Sequence, residues 1–152
     1  MRVSAKADYA VRALAELAAA VGRGPVKGEV IAARQGMPLK FTESILCELR
    51  RAGWVGSQRG AVGGYWLKVP AETITVADVV RHVEGALADV RGEPPEEVVY
   101  RGAAAALSEV WIATRATLRS VLEAVTIADI AGGDLPDSVR HLAGRPGARV
   151  RR

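Results

Sequence analysis

The chain has 152 residues, of which 49% are hydrophobic and 5% aromatic, so it can bury one globular core but not two independent ones. No segment approaches the roughly 20 consecutive apolar residues that a membrane-spanning helix needs. The single cysteine, Cys47, excludes an internal disulfide framework and favours a reducing, cytoplasmic location.

The net charge of +4 is unevenly distributed along the chain. Residues 1–70 carry 11 Lys and Arg against five Asp and Glu, residues 71–144 carry six against 12, and the last eight residues carry four Arg. A basic first half favours contact with a polyanion, and an acidic second half favours a different task. An unevenly charged, solvated surface is the simpler alternative.

The first predicted helix begins after Ser4, a plausible N-cap. Basic residues precede an apolar segment, as in a signal peptide, but Asp8, Arg12 and Glu16 interrupt that segment at helical spacing and favour an amphipathic helix. Its apolar stripe recurs every three or four residues and comprises Tyr9, Ala10, Ala13, Leu14, Leu17 and Val21.

Two further helices are predicted, at about residues 27–35 and 39–52. Val30 and Ile31 are expected to be buried in the helix at 27–35. Pro38 suits the start of the helix at 39–52, because an N–H group at that position would have no partner within the helix. The third helix is expected to face inward through Leu39, Ile45, Leu46 and Leu49. Its predicted outward residues are Lys40, Phe41, Glu43, Ser44 and Glu48.

A short hairpin is predicted directly after the third helix. Trp54-Val55 and Tyr65-Trp66-Leu67 read as strands, with SQRGAVGG as the loop between them. The loop glycines permit positive φ or close approach to a phosphate, and Arg59 lies where a cation enters a groove. Gly63-Gly64 as an ordinary bulge is the simpler alternative. Helix, turn, helix and hairpin together indicate a winged helix-turn-helix, although many three-helix cores share the helical part.

The second half is predicted to contain a short helix, a loop and a long helix. Thr75 and Asp78 form a capping box for the short helix, whose apolar residues are Val76, Val79, Val80 and Val83. A loop rich in Gly, Pro and charge follows at residues 87–102. The long helix is expected from residue 103 to about 125, and its apolar stripe could equally pack against its own domain or form a dimer seam.

Four sequence blocks together resemble the Rrf2 family of bacterial transcriptional regulators. They are MRVSAKADYAVRAL, GPV at residues 24–26, RQGMPLKFTESILCELRRAGWV and SQRGAVGGYWL. The resemblance extends over residues 1 to about 85 and continues more weakly to about 131. It implies a mainly α fold with a small β-hairpin: a winged helix-turn-helix at 1–85, a loop and dimerisation helix at 86–131, and a C-terminal extension at 132–152 that is flexible at its end.

The resemblance also implies homodimers that bind near-palindromic double-stranded operators, with the recognition helices about 34 Å apart. The implied DNA-binding residues are Ser4, Lys6, Tyr9, Lys40, Phe41, Glu43, Ser44, Arg59, Gly60, Gly63, Gly64 and Tyr65. The implied dimerisation residues are Leu107, Trp111, Leu118, Val121 and Val125. Chemically, Glu43 can accept a hydrogen bond from cytosine, Ser44 can bond a base edge or phosphate, and Phe41 can touch a thymine methyl or simply pack.

The chain departs from the cluster-binding members of this family, which carry three cysteines in the loop before the long helix. Residues 89–106 contain none, and one thiol cannot hold an iron–sulfur cluster. We therefore predict no cofactor and no metal site. Asp8, which matches an oxygen ligand of some relatives, is predicted to be a surface or salt-bridged carboxylate, and His82 and His141 lack partners at metal-ligand spacing.

These observations predict a dimeric, sequence-specific DNA-binding transcriptional repressor. An unknown small molecule or protein partner is expected to modulate it through the acidic half. No nucleophile–base pair, phosphate-binding loop or paired carboxylates are found, so the chain is not expected to be an enzyme. The alternative is a winged-helix module in which the same surface binds protein instead of DNA.

Overall fold

A computed structural model describes residues 3–150 of the chain. Met1, Arg2, Arg151 and Arg152, which belong to the two predicted terminal regions, lie outside the described residues. The helices are α1 Ala5–Ala19, α2 Gly28–Gln35, α3 Leu39–Arg51, α4 Val76–Glu84, α5 Leu107–Leu122, α6 Ile127–Gly132 and α7 Asp137–Ala143. Strands β1 Val55–Gln58 and β2 Gly64–Leu67 form one antiparallel sheet, which confirms the mainly helical fold with a small hairpin.

The main core lies between α1, α2 and α3. The Ser4 hydroxyl accepts a hydrogen bond from the backbone N–H of Ala7 at 3.1 Å, which confirms the predicted N-cap. Leu14 and Leu17 of α1 are fully buried against Leu46 and Leu49 of α3. Val21, predicted to continue the apolar stripe of α1, is instead 68% exposed, because α1 ends at Ala19.

The turn between α2 and α3 begins at Gly36, whose φ of 61° is left-handed and ends α2. Thr42 is completely buried, and its hydroxyl donates to the carbonyl of Pro38 at 3.0 Å. Two residues predicted to be inward are exposed: Val30 at 38% and Leu39 at 40%. Each lies within the first turns of its helix, on the side that turns away from the core.

The strands differ from the prediction: β1 excludes Trp54 and runs from Val55 to Gln58, and β2 begins at Gly64. The register pairs Val55 with Leu67 and Gln58 with Gly64, which leaves residues 59–63 as the loop. Two backbone hydrogen bonds of 2.8 Å attach Val26 to Tyr65 on the other side of β2. The hairpin is therefore fixed to the segment before α2.

Gly63 and Gly64 are required by contacts inside the protein. Gly64 has φ of 151°, and a Cβ there would lie 2.7 Å from the backbone of Val26. A Cβ at Gly63 would lie 2.2 Å from the carbonyl oxygen of Gln58. Both distances are shorter than real contacts allow, so packing accounts for these two glycines without a ligand.

A second, unpredicted capping box starts α6. Thr126 and Asp129 exchange the same two hydrogen bonds as Thr75 and Asp78. The two N-caps pair as an antiparallel bridge: the N–H of Val76 donates to the carbonyl of Val125 at 2.8 Å, and that of Ile127 to Ile74 at 2.9 Å. This bridge joins the segment before α4 to the segment after α5, and α6 packs against α1.

The long helix α5 is shorter than predicted and stands away from the core. It starts at Leu107, after a 3₁₀ turn at Gly102–Ala104, and ends at Leu122. None of its residues is buried. Val125, predicted to continue its stripe, lies beyond its end and is buried in the chain's own core. Within residues 3–150, no helix is long and apolar enough to cross a membrane.

Candidate nucleic-acid interface

Helix α3 divides cleanly into a buried side and an exposed side. Thr42, Ile45, Leu46 and Leu49 are buried. The four predicted DNA-facing residues, Lys40, Phe41, Glu43 and Ser44, are all exposed. The side that packs α3 is therefore separate from the side that is available to a polar partner.

The start of α1 lies against the exposed side of α3. The rings of Tyr9 and Phe41 meet edge to face, with centroids 5.5 Å apart. Lys6, predicted as a phosphate contact, has its ammonium 2.7 Å from a carboxylate oxygen of Glu48. Its charge is thus partly neutralised by α3, a long-range contact that helical spacing does not reveal.

The wing lies next to the C-terminal end of α3. Arg50 donates from Nη1 to the hydroxyl of Ser57 at 3.0 Å, so the end of the recognition helix is tied to β1. At the tip, the N–H of Gly63 donates to the carbonyl of Gly60 at 3.0 Å. Arg59 and Gly60 are exposed there, as predicted. The sequence analysis did not predict this contact of Arg50 with the hairpin, because it joins side chains of two different elements.

Tyr65 belongs to β2 and pairs with Val26, just before α2. It is half-buried, and a Cβ added to Gly28 would touch both the Tyr65 ring, at 3.7 Å, and the Glu43 side chain, at 3.6 Å. These are ordinary van der Waals distances, so position 28 lies where the wing, α2 and α3 meet, without requiring a glycine there. Tyr65 has a packing role here, and its contact with DNA remains a prediction.

Asp8 is salt-bridged, as predicted. Its carboxylate accepts a hydrogen bond from Arg12 Nη1 at 3.1 Å. Arg12 also donates to the side chain of Gln35 at 3.0 Å and to its backbone carbonyl. These contacts join α1 to the end of α2, where the turn into α3 begins.

The two histidines, His82 and His141, are both exposed. The His82 ring lies 5.3 Å from that of Trp54. Cys47 is partly exposed on α3. Among residues 3–150, no three His, Cys, Asp or Glu side chains are grouped as they would be to hold a metal ion.

Proteins of similar sequence cover nearly the whole chain. Rv1287 of Mycobacterium tuberculosis, assigned as an HTH-type transcriptional regulator, is 49% identical over 143 residues, which are 94% of this chain and 89% of that protein. The HTH-type transcriptional regulator CymR of Bacillus subtilis is 34% identical over 131 residues, covering 86% of this chain and 90% of the relative.

Solved structures show the same fold. CymR of B. subtilis, described as its global cysteine regulator, superposes with a TM-score of 0.75 at 33% identity, covering 88% of this chain and 98% of the other. IscR of T. potens superposes with a TM-score of 0.70 at 33% identity, covering 88% of each chain. The helix-turn-helix and hairpin described above are therefore those of a winged-helix regulator.

The family profile that matches residues 3–133 is Rrf2, described as an iron-dependent transcriptional regulator. The donor set of this chain does not fit an iron–sulfur cluster, because its only cysteine lies in α3 and the loop before α5 has none. The fold and the relatives agree on function, and the relatives are regulators rather than enzymes. The chain belongs to the Rrf2 family of DNA-binding transcriptional regulators.

Proposed function

We propose that this regulator is a homodimeric repressor that reads a near-palindromic operator with α3 and its wing. The observation that carries the proposal is the continuous surface formed by the start of α1, the exposed side of α3 and the wing. The Tyr9–Phe41, Lys6–Glu48 and Arg50–Ser57 contacts hold these three elements together.

The surface has both kinds of group that DNA recognition needs. Lys40 and Arg59 are exposed cations that suit phosphates or a groove, and they position the protein without reading sequence. Glu43 and Ser44 offer hydrogen bonds to base edges, with Glu43 suited to the amino group of cytosine. Phe41 packs on Tyr9 yet keeps an exposed edge that can meet a thymine methyl.

Helix α5 supports the dimer. Val110, Trp111 and Ile112 are consecutive and all exposed, with Val110 at 52%. Successive residues of a helix are about 100° apart, so these three side chains cover more than half of its circumference. A helix that is apolar around so much of its surface is stable in water only when another chain covers it. A second copy supplies a matching helix by symmetry.

The predicted dimerisation residues lie around this exposed set. Leu107, Leu118 and Val121 are half-buried, and Trp111 is exposed. We propose that these four residues contribute to the seam. Val125 is excluded from it, because it is buried in its own subunit.

We further propose that the signal reaches the protein through a small molecule or protein partner that binds the acidic half. The sequence lacks the cysteines for a cluster, and the neighbour CymR is described as a global cysteine regulator. Genes of cysteine metabolism are therefore the first operators to test. A dimer bound across a promoter excludes other proteins from it, which is the basis for proposing repression.

The test begins with selection of bound fragments from genomic DNA by the full-length protein. Affinity for a selected site and for a scrambled site is then measured by fluorescence anisotropy at increasing salt. We expect affinity to fall steeply with salt and Arg59→Ala to weaken operator binding about tenfold or more. Arg101→Ala, which removes an exposed cation from the acidic half, is the matched control and should bind normally. Unchanged affinity of Arg59→Ala, with no salt dependence, would favour the protein-binding module instead.

A further inference from the structure

One arginine outside the predicted DNA surface connects several parts of the helix-turn-helix. Arg12 lies in the third turn of α1, where its guanidinium donates to Asp8, to the side chain of Gln35 and to the carbonyl of Gln35. Its carbon Cζ also lies 5.2 Å from the centre of the Tyr9 ring, in a cation–π contact. One side chain therefore touches its own helix and the end of the next.

The hydrogen bond from Arg12 to the Gln35 carbonyl lies at the C-terminal end of α2. Gln35 is the last residue of α2, and carbonyls in the last turn of a helix have no partner within the helix. A cation there satisfies such a carbonyl and interacts favourably with the helix dipole. Gly36 and the turn into α3 follow immediately, so Arg12 fixes the point from which the recognition helix departs.

Gln35 is itself held from a second direction. Its side-chain amide donates to Glu16, one turn further along α1, while its side-chain oxygen accepts from Arg12. Glu16 also forms an ion pair with Arg34 at 3.4 Å. Both the donor and the acceptor of Gln35 are thus used, and the end of α2 is attached to α1 at two points.

A second route leads from Arg12 to the DNA-facing side. Arg12 covers the Tyr9 ring, and the Tyr9 ring meets Phe41 on the exposed side of α3. Aromatic and cation–π contacts of this kind restrict ring orientation. Arg12 therefore acts on the turn through Gln35 and on the recognition surface through Tyr9.

We propose that Arg12 is a positioning residue for sequence discrimination: it holds α2, the turn and Phe41 in the arrangement that reads bases, without touching DNA itself. The inference rests on the proposed function. Base reading requires placement within fractions of an ångström, whereas attraction to phosphates tolerates displacement. Loss of Arg12 should therefore reduce operator affinity much more than affinity for scrambled DNA.

The first experiment measures both affinities for Arg12→Ala and Arg12→Lys by anisotropy. We expect operator affinity to fall about tenfold in each variant, with scrambled-site affinity changed by less than about twofold. Lys keeps the charge but cannot span the three oxygen partners with one ammonium. Arg101→Ala is again the control, since it removes an equal charge from an exposed position outside the helix-turn-helix and should preserve discrimination.

A double-mutant cycle tests the route through the rings. If Arg12 acts partly through Tyr9 and Phe41, Arg12→Ala should cost less operator affinity when Phe41 is already Ala. Thermal unfolding of each variant checks folding, since a purely structural loss would lower operator and scrambled-site affinity by the same factor.

The failures are distinguishable. If the wild type itself prefers no sequence, the proposed function and this inference both fall. If the wild type discriminates and Arg12→Ala discriminates equally well, only the inference is overturned. Equal losses of affinity for both DNAs would also overturn it. So would strictly additive effects of Arg12→Ala and Phe41→Ala, if Arg12→Lys also discriminates normally.

Discussion

Helices α3 and α5 are both amphipathic in sequence, yet the structure uses them in different ways. The 13 residues of α3 bury four side chains in the chain's own core and expose a mainly polar side. The 16 residues of α5 bury none and expose Val110, Trp111 and Ile112. Helix α3 therefore offers a mainly polar surface that suits a polar partner such as DNA, whereas α5 has apolar surface that its own chain leaves open to solvent.

Two carboxylates beside α5 are paired with arginines of the same chain. Hydrogen bonds from Arg81 and then from Arg119 hold the pKa of Glu123 below its usual value. The pKa of Glu96 is lowered by a backbone N–H of Glu96 itself and then by Arg115. These two carboxylates are therefore paired within the chain, whereas Val110, Trp111 and Ile112 are left exposed by it.

The largest expected effect comes from opening a cavity beneath α3. Leu46→Ala removes a fully buried side chain and should lower the free energy of unfolding by about 3 kcal/mol. Leu39→Ala, the same change at an exposed position of the same helix, should cost less than about 1 kcal/mol. Urea unfolding followed by circular dichroism measures both. Equal losses would mean that α3 does not have the two distinct sides described.

A charge on α5 should break the dimer while sparing the fold. Ile112→Asp would bury an unpaired carboxylate in the proposed seam, so the dimer dissociation constant should rise about 100-fold or more. Analytical ultracentrifugation gives the constant, and circular dichroism checks that the monomer remains helical.

Val21→Asp is the matched control for that variant. Val21 is more exposed than Ile112 but lies beyond the end of α1, so the same substitution there should leave the dimer intact. If Ile112→Asp remains dimeric, the exposed side of α5 has another occupant and the comparison with α3 must be redrawn.

Local signals in the sequence predicted much of this architecture. The Ser4 cap, the capping box at Thr75 and the exposed side of α3 all follow from residues within one or two helical turns of each other. The errors at Val21 and Leu39 lie at helix ends, where periodicity continues but packing does not. The capping box at Thr126 repeats the pattern at Thr75 and was available in the sequence, although it was not recognised.

The rest depends on contacts between residues far apart in the chain. The Lys6–Glu48 ion pair and the Arg12–Gln35 hydrogen bonds cross between helices, and nothing in local spacing indicates them. The sequence likewise shows a glycine at position 64 but not the Val26 backbone that excludes a side chain there. Local spacing also does not show that the chain leaves α5 unburied, because burial depends on tertiary contacts.

The same Glu→Gln substitution should change base preference on α3 but not on α5. Glu43→Gln replaces the charged acceptor proposed for a cytosine amino group with a neutral amide that also donates, so preference for that base pair should fall about tenfold. Glu109→Gln, on the exposed surface of α5, should leave base preference unchanged. Anisotropy with operators altered one base pair at a time gives the preference. A uniform loss across all operators for Glu43→Gln would mean that Glu43 does not read bases.

The smallest expected effect concerns the capping box of α6, which anchors the far end of α5 to the domain. The Thr126 backbone N–H, and then its hydroxyl, hold the pKa of Asp129 below its usual value of 3.8. Because the folded-state pKa is the lower one, this stabilisation is complete above pH 3.8 and is lost as the pH falls through the folded value.

Asp129→Asn keeps an oxygen that can cap the helix but does not titrate. The thermal midpoint of the wild type should therefore exceed that of Asp129→Asn slightly at pH 6, and the difference should shrink only below pH 3.8. Calorimetric scans of both proteins from pH 6 downward measure this difference. A difference that stays constant to the lowest pH would show that the charge of Asp129 does not stabilise the anchor. The attachment of α5 would then rest on other contacts, among them the Thr75–Thr126 bridge and the buried Ile127.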